Sequence, residues 1–286
     1  MRCRLPSVPN HGFCEQPIAG PGQLDILELP PPAAGERIPY AADPNQFGEL
    51  RLPAGAGLHP VVIAIHGGFW RARYDLGHLG HLCQAIADAG FATWSLEYRR
   101  VGQAGGGFPG TMEDVGCGAD FLLQLAERFP LDVGRAVAIG HSAGGQLALW
   151  LGARKQSLFR LRGVVALAAV SDLAAASALR LGDGIVDEMM GGTPAAAPKR
   201  YAAASPIELL PAGVPQRLIH GEDDDVVPCS LSQRYCRAAR GCGDDASLEA
   251  LSEVGHFELI DPRSHAWPVV LRTLRDLLGG AEAPQT

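Results

Sequence analysis

The run Ala136-Val137-Ala138-Ile139-Gly140-His141-Ser142-Ala143-Gly144-Gly145-Gln146-Leu147 decides the reading of this chain. Its first four residues are apolar without a break, as in a strand buried on both faces. Residues 143 to about 153 read as a helix. Between them, the Gly-x-Ser-x-Gly spacing puts Ser142 on a sharp strand-to-helix turn. Glycines on either side relieve the crowding that such a turn creates. The helix start adds backbone N–H groups and a positive dipole end beside the hydroxyl. That is a setting for nucleophilic attack on a carbonyl carbon.

Outward from this turn, strands and helices alternate. Apolar runs at 61–65 and 163–168 read as strands, as do 91–96, 216–220 and 247–251. Helical spacing marks 76–89, closed by Gly90, and 112–129, stopped by Pro130. Further helices are expected at 231–239 and 267–278. Residues 47–52 alternate apolar and polar, which predicts a half-exposed edge strand. The alternation implies an α/β class: a mainly parallel twisted sheet with helices on both faces. Ligands of such sheets bind at the carboxyl ends of the strands.

The 286 residues are 47% hydrophobic and 19% charged, an ordinary globular composition. One domain is expected over 25–280, with a loose Pro/Gly-rich arm at 1–24 and a tail at 281–286. Residues 171–206 separate two strands and predict a small lid-like insertion. The net charge of -7 argues against a nucleic-acid partner, which needs a basic footprint. No run of about 18 apolar residues and no basic cluster points to a membrane. The basic start lacks an apolar signal region. Seven scattered cysteines read as reduced thiols. Together these predict a cytoplasmic protein, and self-association to a homo-oligomer is left open.

After the strand at 61–65 comes His66-Gly67-Gly68-Phe69-Trp70. Small residues there let backbone N–H groups approach a developing oxyanion, each donor being worth roughly 3 kcal/mol. His66 is expected to tie this loop down. Of nine histidines, only His220, His256 and His265 follow Ser142. A Gly-x-Ser-x-Gly hydrolase takes its acid next and its histidine last. His220 comes too early, just before the acidic run, and His265 lies beyond Pro262. His256, just past the last strand, is the expected base. The acid lies within Glu222-Asp223-Asp224-Asp225, and spacing within the chain alone does not select one of the four. Asp172, after another strand, is an outside candidate.

Other features carry less. His78 and His81 share a helical face without a third ligand, so they read as solvated or capping, and no metal is expected. Gly105-Gly106-Gly107 lacks the Lys-Ser/Thr of a phosphate loop. Phe69, Trp70, Tyr98, Phe108 and Met189 are read equally as acyl or aryl pocket lining and as core. Trp70 is the candidate substrate contact among them.

The segments His66 to Arg71, Glu97-Tyr98-Arg99-Arg100 and Gly140 to Leu147 resemble the esterase/lipase group of α/β-hydrolases. The His-Gly-Gly-x-Trp form is closest to the kynurenine formamidase-like branch. Ser205-Pro206, His220 to Pro228 and Gly255-His256 resemble prolyl-oligopeptidase-like hydrolases. The resemblance covers about residues 45–275. It implies an α/β-hydrolase fold and a Ser142–Asp224–His256 triad, Asp224 being selected by the His-Gly-x-x-Asp-x-x-Val-Pro pattern. It also implies oxyanion donors at Gly68, Phe69 and Ala143, no cofactor, and a small-molecule ester or amide substrate. Three alternatives stay open: an arylformamidase, a thioesterase or tailoring acyl hydrolase, and a non-catalytic binding protein on the same fold.

Overall fold

The computed structural model describes residues 26–279. The proposed arm at 1–24 and tail at 281–286 lie outside the described residues, as do Cys3 and Cys14. Eight strands form one sheet. They are β1 (Glu36–Pro39), β2 (Phe47–Arg51), β3 (His59–Ile65), β4 (Ala92–Leu96), β5 (Leu131–His141), β6 (Gly163–Leu167), β7 (Gln216–Gly221) and β8 (Ala246–Leu251). Their spatial order is β1-β2-β4-β3-β5-β6-β7-β8. The pairs β1–β2 and β2–β4 are antiparallel, and every pair from β4 to β8 is parallel.

Side chains alternate across the parallel strands, so each strand feeds two cores. Val61, Ile63, Ile65, Ala136, Ala138, Val164 and Ala166 face one side. There they meet α2 (Gly110–Asp120), α3 (Leu122–Ala126), α4 (Ala143–Ala153) and α8 (Cys229–Gly241). Val62, Ala64, Val137, Ile139, Val165 and Leu167 face the other, against α1 (Gly80–Asp88) and α9 (Trp267–Leu278). Each fully buried Val, Ile or Leu contributes about 1.5–3 kcal/mol of transfer free energy. Double-sided burial is why these strands read as unbroken apolar runs.

The structure departs from the sequence expectations in several places. β2 is not an edge strand: β1 covers its outer side, and four of its five residues are buried. Its polar positions are neutralised in place, with Glu49 Oε2 3.3 Å from Arg51 and Glu49 Oε1 3.2 Å from Arg37. The expected helix at 112–129 breaks at Phe121 into α2 and α3. The expected helix at 76–89 begins as a 3-10 turn, Leu76–Leu79, capped by the Asp75 carboxylate. Residues 171–206 fold as α5 (Leu173–Ala178), α6 (Leu181–Met190) and α7 (Pro198–Ala204). This insertion is stitched to the body by Gln146 Nε2 donating to Ala204 O (2.9 Å) and Arg71 Nη2 donating to Gly182 O (2.8 Å). Among the described residues, no helix is long and apolar enough to cross a membrane. The five described cysteines are free thiols.

Candidate active site

Ser142 sits between β5 and α4 with φ 58° and ψ −118°, a conformation that costs a non-glycine residue of order 1–3 kcal/mol. The surroundings enforce it. Ser142 N–H donates to Leu167 O (2.8 Å), and Ser142 O accepts the N–H groups of Gln146 (3.2 Å) and Val170 (3.3 Å). The turn closes only because of its glycines. A Cβ at Gly140 would lie 2.0 Å from Gly144 O, and one at Gly144 would lie 2.0 Å from Ile65 O. Ala143 opens α4, where first-turn N–H groups lack intrahelical acceptors.

The loop after β3 packs directly on this turn. A Cβ at Gly67 would lie 3.1 Å from Ser142 Cβ. Gly68, Phe69 and Trp70 then run at φ 98°, 52° and 52°, which turns the backbone sharply beside Ser142. A buried network anchors the loop. His66 stacks on Tyr98 with ring centroids 4.3 Å apart, its Nε2 lies 3.1 Å from Glu97 Oε1, and the Tyr98 hydroxyl donates to His66 O (2.8 Å). Glu97 also accepts the N–H groups of Leu76 (3.1 Å) and Tyr98 (3.0 Å). Burial alone would raise the Glu97 carboxyl. The facing His66 and Arg100 outweigh it and hold the group below its ordinary value.

Trp70 does not reach the site surface. It is fully buried, and its indole N–H donates to Gln146 Oε1 (3.1 Å). The expected substrate contact is instead a post joining the loop to α4, and through Gln146 to α7. Tyr98 and Met189 are buried as well, whereas Phe69 and Phe108 are half-buried. Trp70→Phe would leave the Gln146 oxygen unpaired in the interior, at a cost of about 1–3 kcal/mol. The expected result is a lowered melting temperature with KM unchanged within about twofold, read by thermal denaturation and steady-state kinetics.

Of the four adjacent carboxylates, Asp224 alone turns inward. Glu222, Asp223 and Asp225 are exposed, and the Asp224 side chain is completely buried. Its Oδ1 accepts the N–H groups of Val226 (2.9 Å) and Val227 (2.7 Å). Its Oδ2 accepts His256 Nδ1–H at 2.7 Å and lies 3.3 Å from His220 Nε2. Burial raises the Asp224 carboxyl, but the His220 and His256 bonds, the His256 charge and the Val227 N–H outweigh it. The group is held well below the usual carboxylate range. His256 is itself 2% exposed, and with Nδ1–H on Asp224 the neutral ring keeps Nε2 free as an acceptor.

Several supporting residues carried no sequence signal. His220 was set aside as a base, yet it braces Asp224. Its Nε2–H donates to Val227 O (2.8 Å), and its Nδ1 is 2.8 Å from Ser232 Oγ. Asp172 is occupied structurally: it caps α5 through Ala175 N–H (2.9 Å) and pairs with Arg234 (3.2 Å). His265 is exposed. His78, expected to be solvated or capping, is half-buried and bonded to His141.

The fold has its counterpart in known proteins. The model of the BD-FAE family matches residues 49–238, about two thirds of the chain. The chain belongs to this family. As a BD-FAE member it is an α/β-hydrolase of the esterase/lipase group. Its fold is similar to that of a truncated carbohydrate esterase from gut microbiota (TM-score 0.73, 18% identity, 87% of this chain and 97% of that one). It is also similar to a propionate-bound esterase of the planctomycete Thermogutta terrifontis (TM-score 0.70, 21% identity, 88% and 97%). Neutral cholesterol ester hydrolase 1 of Rattus norvegicus is 37% identical over 99 residues, 33% of this chain and 24% of that protein. The chain thus spans about a quarter of the length of the curated relatives it matches.

Proposed function

We propose that this protein is a serine esterase that cleaves a carboxylic ester through a covalent acyl-enzyme. The observation that carries the reading is the convergence of three parts at the carboxyl ends of the strands. They are the strained Ser142 turn, the loop of Gly68 and Phe69 packed on it, and a buried His256 held by Asp224 at 2.7 Å. Ser142 Oγ attacks the carbonyl carbon while His256 Nε2 takes its proton. Asp224 keeps the ring in the required tautomer and stabilises the imidazolium. The N–H groups of Gly68, Phe69 and Ala143 receive the oxyanion. The protonated His256 then gives its proton to the leaving alkoxide. Water, deprotonated by the same ring, releases the acid.

Relatives named as a carbohydrate esterase, an esterase with bound propionate and a cholesterol ester hydrolase support an ester over an amide. Trp70, the residue that gives the loop its formamidase-like form, is buried and offers no exposed face to a substrate. The free thiols fit a reducing, cytoplasmic setting. The test is kcat/KM over p-nitrophenyl acetate, butyrate and octanoate, an acyl thioester and N-formylkynurenine. A p-nitrophenyl ester is expected to rank first. First rank for the formamide or the thioester would overturn the ester reading. Failure of a fluorophosphonate probe to label Ser142 would overturn the enzyme reading.

A further inference from the structure

Two histidines outside the proposed triad form a chain that ends on its base. His141 precedes the nucleophile and is fully buried at the end of β5. Its Nε2 lies 2.9 Å from the carbonyl oxygen of His256. Its Nδ1 lies 2.9 Å from Nε2 of His78, on the 3-10 turn before α1. The rings are in contact, with centroids 5.1 Å apart for His78–His141 and 4.5 Å for His141–His256. Phe257 closes the cluster against all three.

The proton positions follow from elementary bonding. A carbonyl oxygen only accepts, so His141 Nε2 carries a hydrogen. A neutral ring then has a bare Nδ1, which accepts His78 Nε2–H. The charged forms are disfavoured. Burial, with His66 and His256 nearby, pushes the His78 ring down to about 3. Burial, with His256 and His78 adding to it, holds His141 well below its ordinary value, against the opposing pull of the His256 carbonyl and Asp224.

We propose that His141 and His78 are positioning residues for His256: His141 clamps the base-bearing loop to the nucleophile turn, and His78 supports the clamp by donating to the His141 Nδ1 that it leaves bare. The proposal rests on the triad reading above. The clamp joins residues 115 apart in sequence, and one end is the immediate neighbour of Ser142. In the opposite tautomer, His141 would present a lone pair to the His256 carbonyl, and the two acceptors would repel. In the clamping tautomer the bare Nδ1 of His141 is met by His78 Nε2–H, so both nitrogens of this buried ring are satisfied.

The test combines a tautomer measurement with a mutant cycle. Long-range 1H–15N spectra of the wild type, with His141 assigned by difference against His141→Gln, should show a neutral ring protonated at Nε2. Substituting leucine at His141 should lower kcat by about 10- to 100-fold with KM within about threefold, since the base is displaced and substrate contacts are not. His141→Gln keeps an N–H donor at similar reach and should recover kcat to within about threefold of wild type. His78→Phe should lower kcat by about three- to tenfold in the wild type and not at all in His141→Gln, which has no bare ring nitrogen for His78 to satisfy.

An Nδ1–H tautomer at His141, unchanged kcat in His141→Leu, or equal effects of His78→Phe in both backgrounds would each overturn the proposal. Should His141→Leu fail to fold, the tautomer and the His141→Gln cycle still decide. Fluorophosphonate labelling of the wild type reports on the triad separately. Absent labelling with an Nε2–H ring would sink the triad and leave the bonded chain standing.

Discussion

Ser142→Ala is expected to lower kcat on p-nitrophenyl butyrate by about 10⁴-fold or more, the loss seen when a triad nucleophile is deleted. Residual turnover above the buffer rate should persist, because the donors of Gly68, Phe69 and Ala143 still receive an oxyanion formed by attack of water. The fold should be untouched. Alanine meets the same backbone demand as serine at φ 58°, and the bonds that enforce this turn are made by backbone atoms of Leu167, Gln146 and Val170. The check pairs initial rates with thermal denaturation. A variant that retains full activity would remove Ser142 from the chemistry. A variant that unfolds would show that the side chain, not only the backbone, holds the turn.

The second large effect is expected at Asp224. Both of its oxygens face donors: two backbone N–H groups at Oδ1, and the His256 and His220 rings at Oδ2. In Asp224→Asn, the amide NH2 must point at donors whichever way it is turned. Directed at the imidazoles, it drives the proton of His256 from Nδ1 to Nε2, and the base faces its substrate already protonated. A fall in kcat of about 10⁴-fold is expected, matching the loss from the same exchange in a Ser-His-Asp triad. KM should change little. Undiminished kcat would reject Asp224 as the orienting acid.

The same variant carries a pH signature in stability. The folded Asp224 carboxyl is held below its ordinary value. Such a group contributes stability that is fully present above the unfolded aspartate pKa of about 3.9 and is lost as the pH falls through the folded value. The urea midpoint of the wild type should therefore exceed that of Asp224→Asn by a constant margin above about pH 5 and by a shrinking one below about pH 4. A margin that widens on acidification would contradict the sign.

How much of this was legible in the chain depends on the distance between partners. The Ser142 turn was readable because strand, turn and helix are contiguous, and each glycine answers to atoms of the turn or of the strand beside it. β3, β6 and the end of β5 were readable because burial on both faces leaves an unbroken apolar run. β1, four residues with one buried side chain, carries no such pattern. The polar residues of β2 suggested solvent, yet Glu49 and Arg51 neutralise each other inside the protein. Alternation of polarity reports exposure only when the polar groups have no buried partner.

The sequence by itself determined that Ser142 lies on a strand-to-helix turn, that a His-Gly-Gly loop follows an earlier strand, and that an acidic run and then His256 follow in chain order. Those are properties of short segments and of chain order. Among the four adjacent carboxylates the pattern resemblance pointed to Asp224, and the tertiary structure alone showed that its side chain is the one that meets His256, that Trp70 is a buried post, and that His78 and His220 brace the site. Each of those outcomes depends on where a side chain points and on what another segment brings against it. Asp224 and His256 are 32 residues apart, Trp70 and Gln146 are 76, and His78 and His141 are 63. Such pairs exist only after the sheet has set its strand order; a local pattern can name a member, but the contact itself is made by the fold.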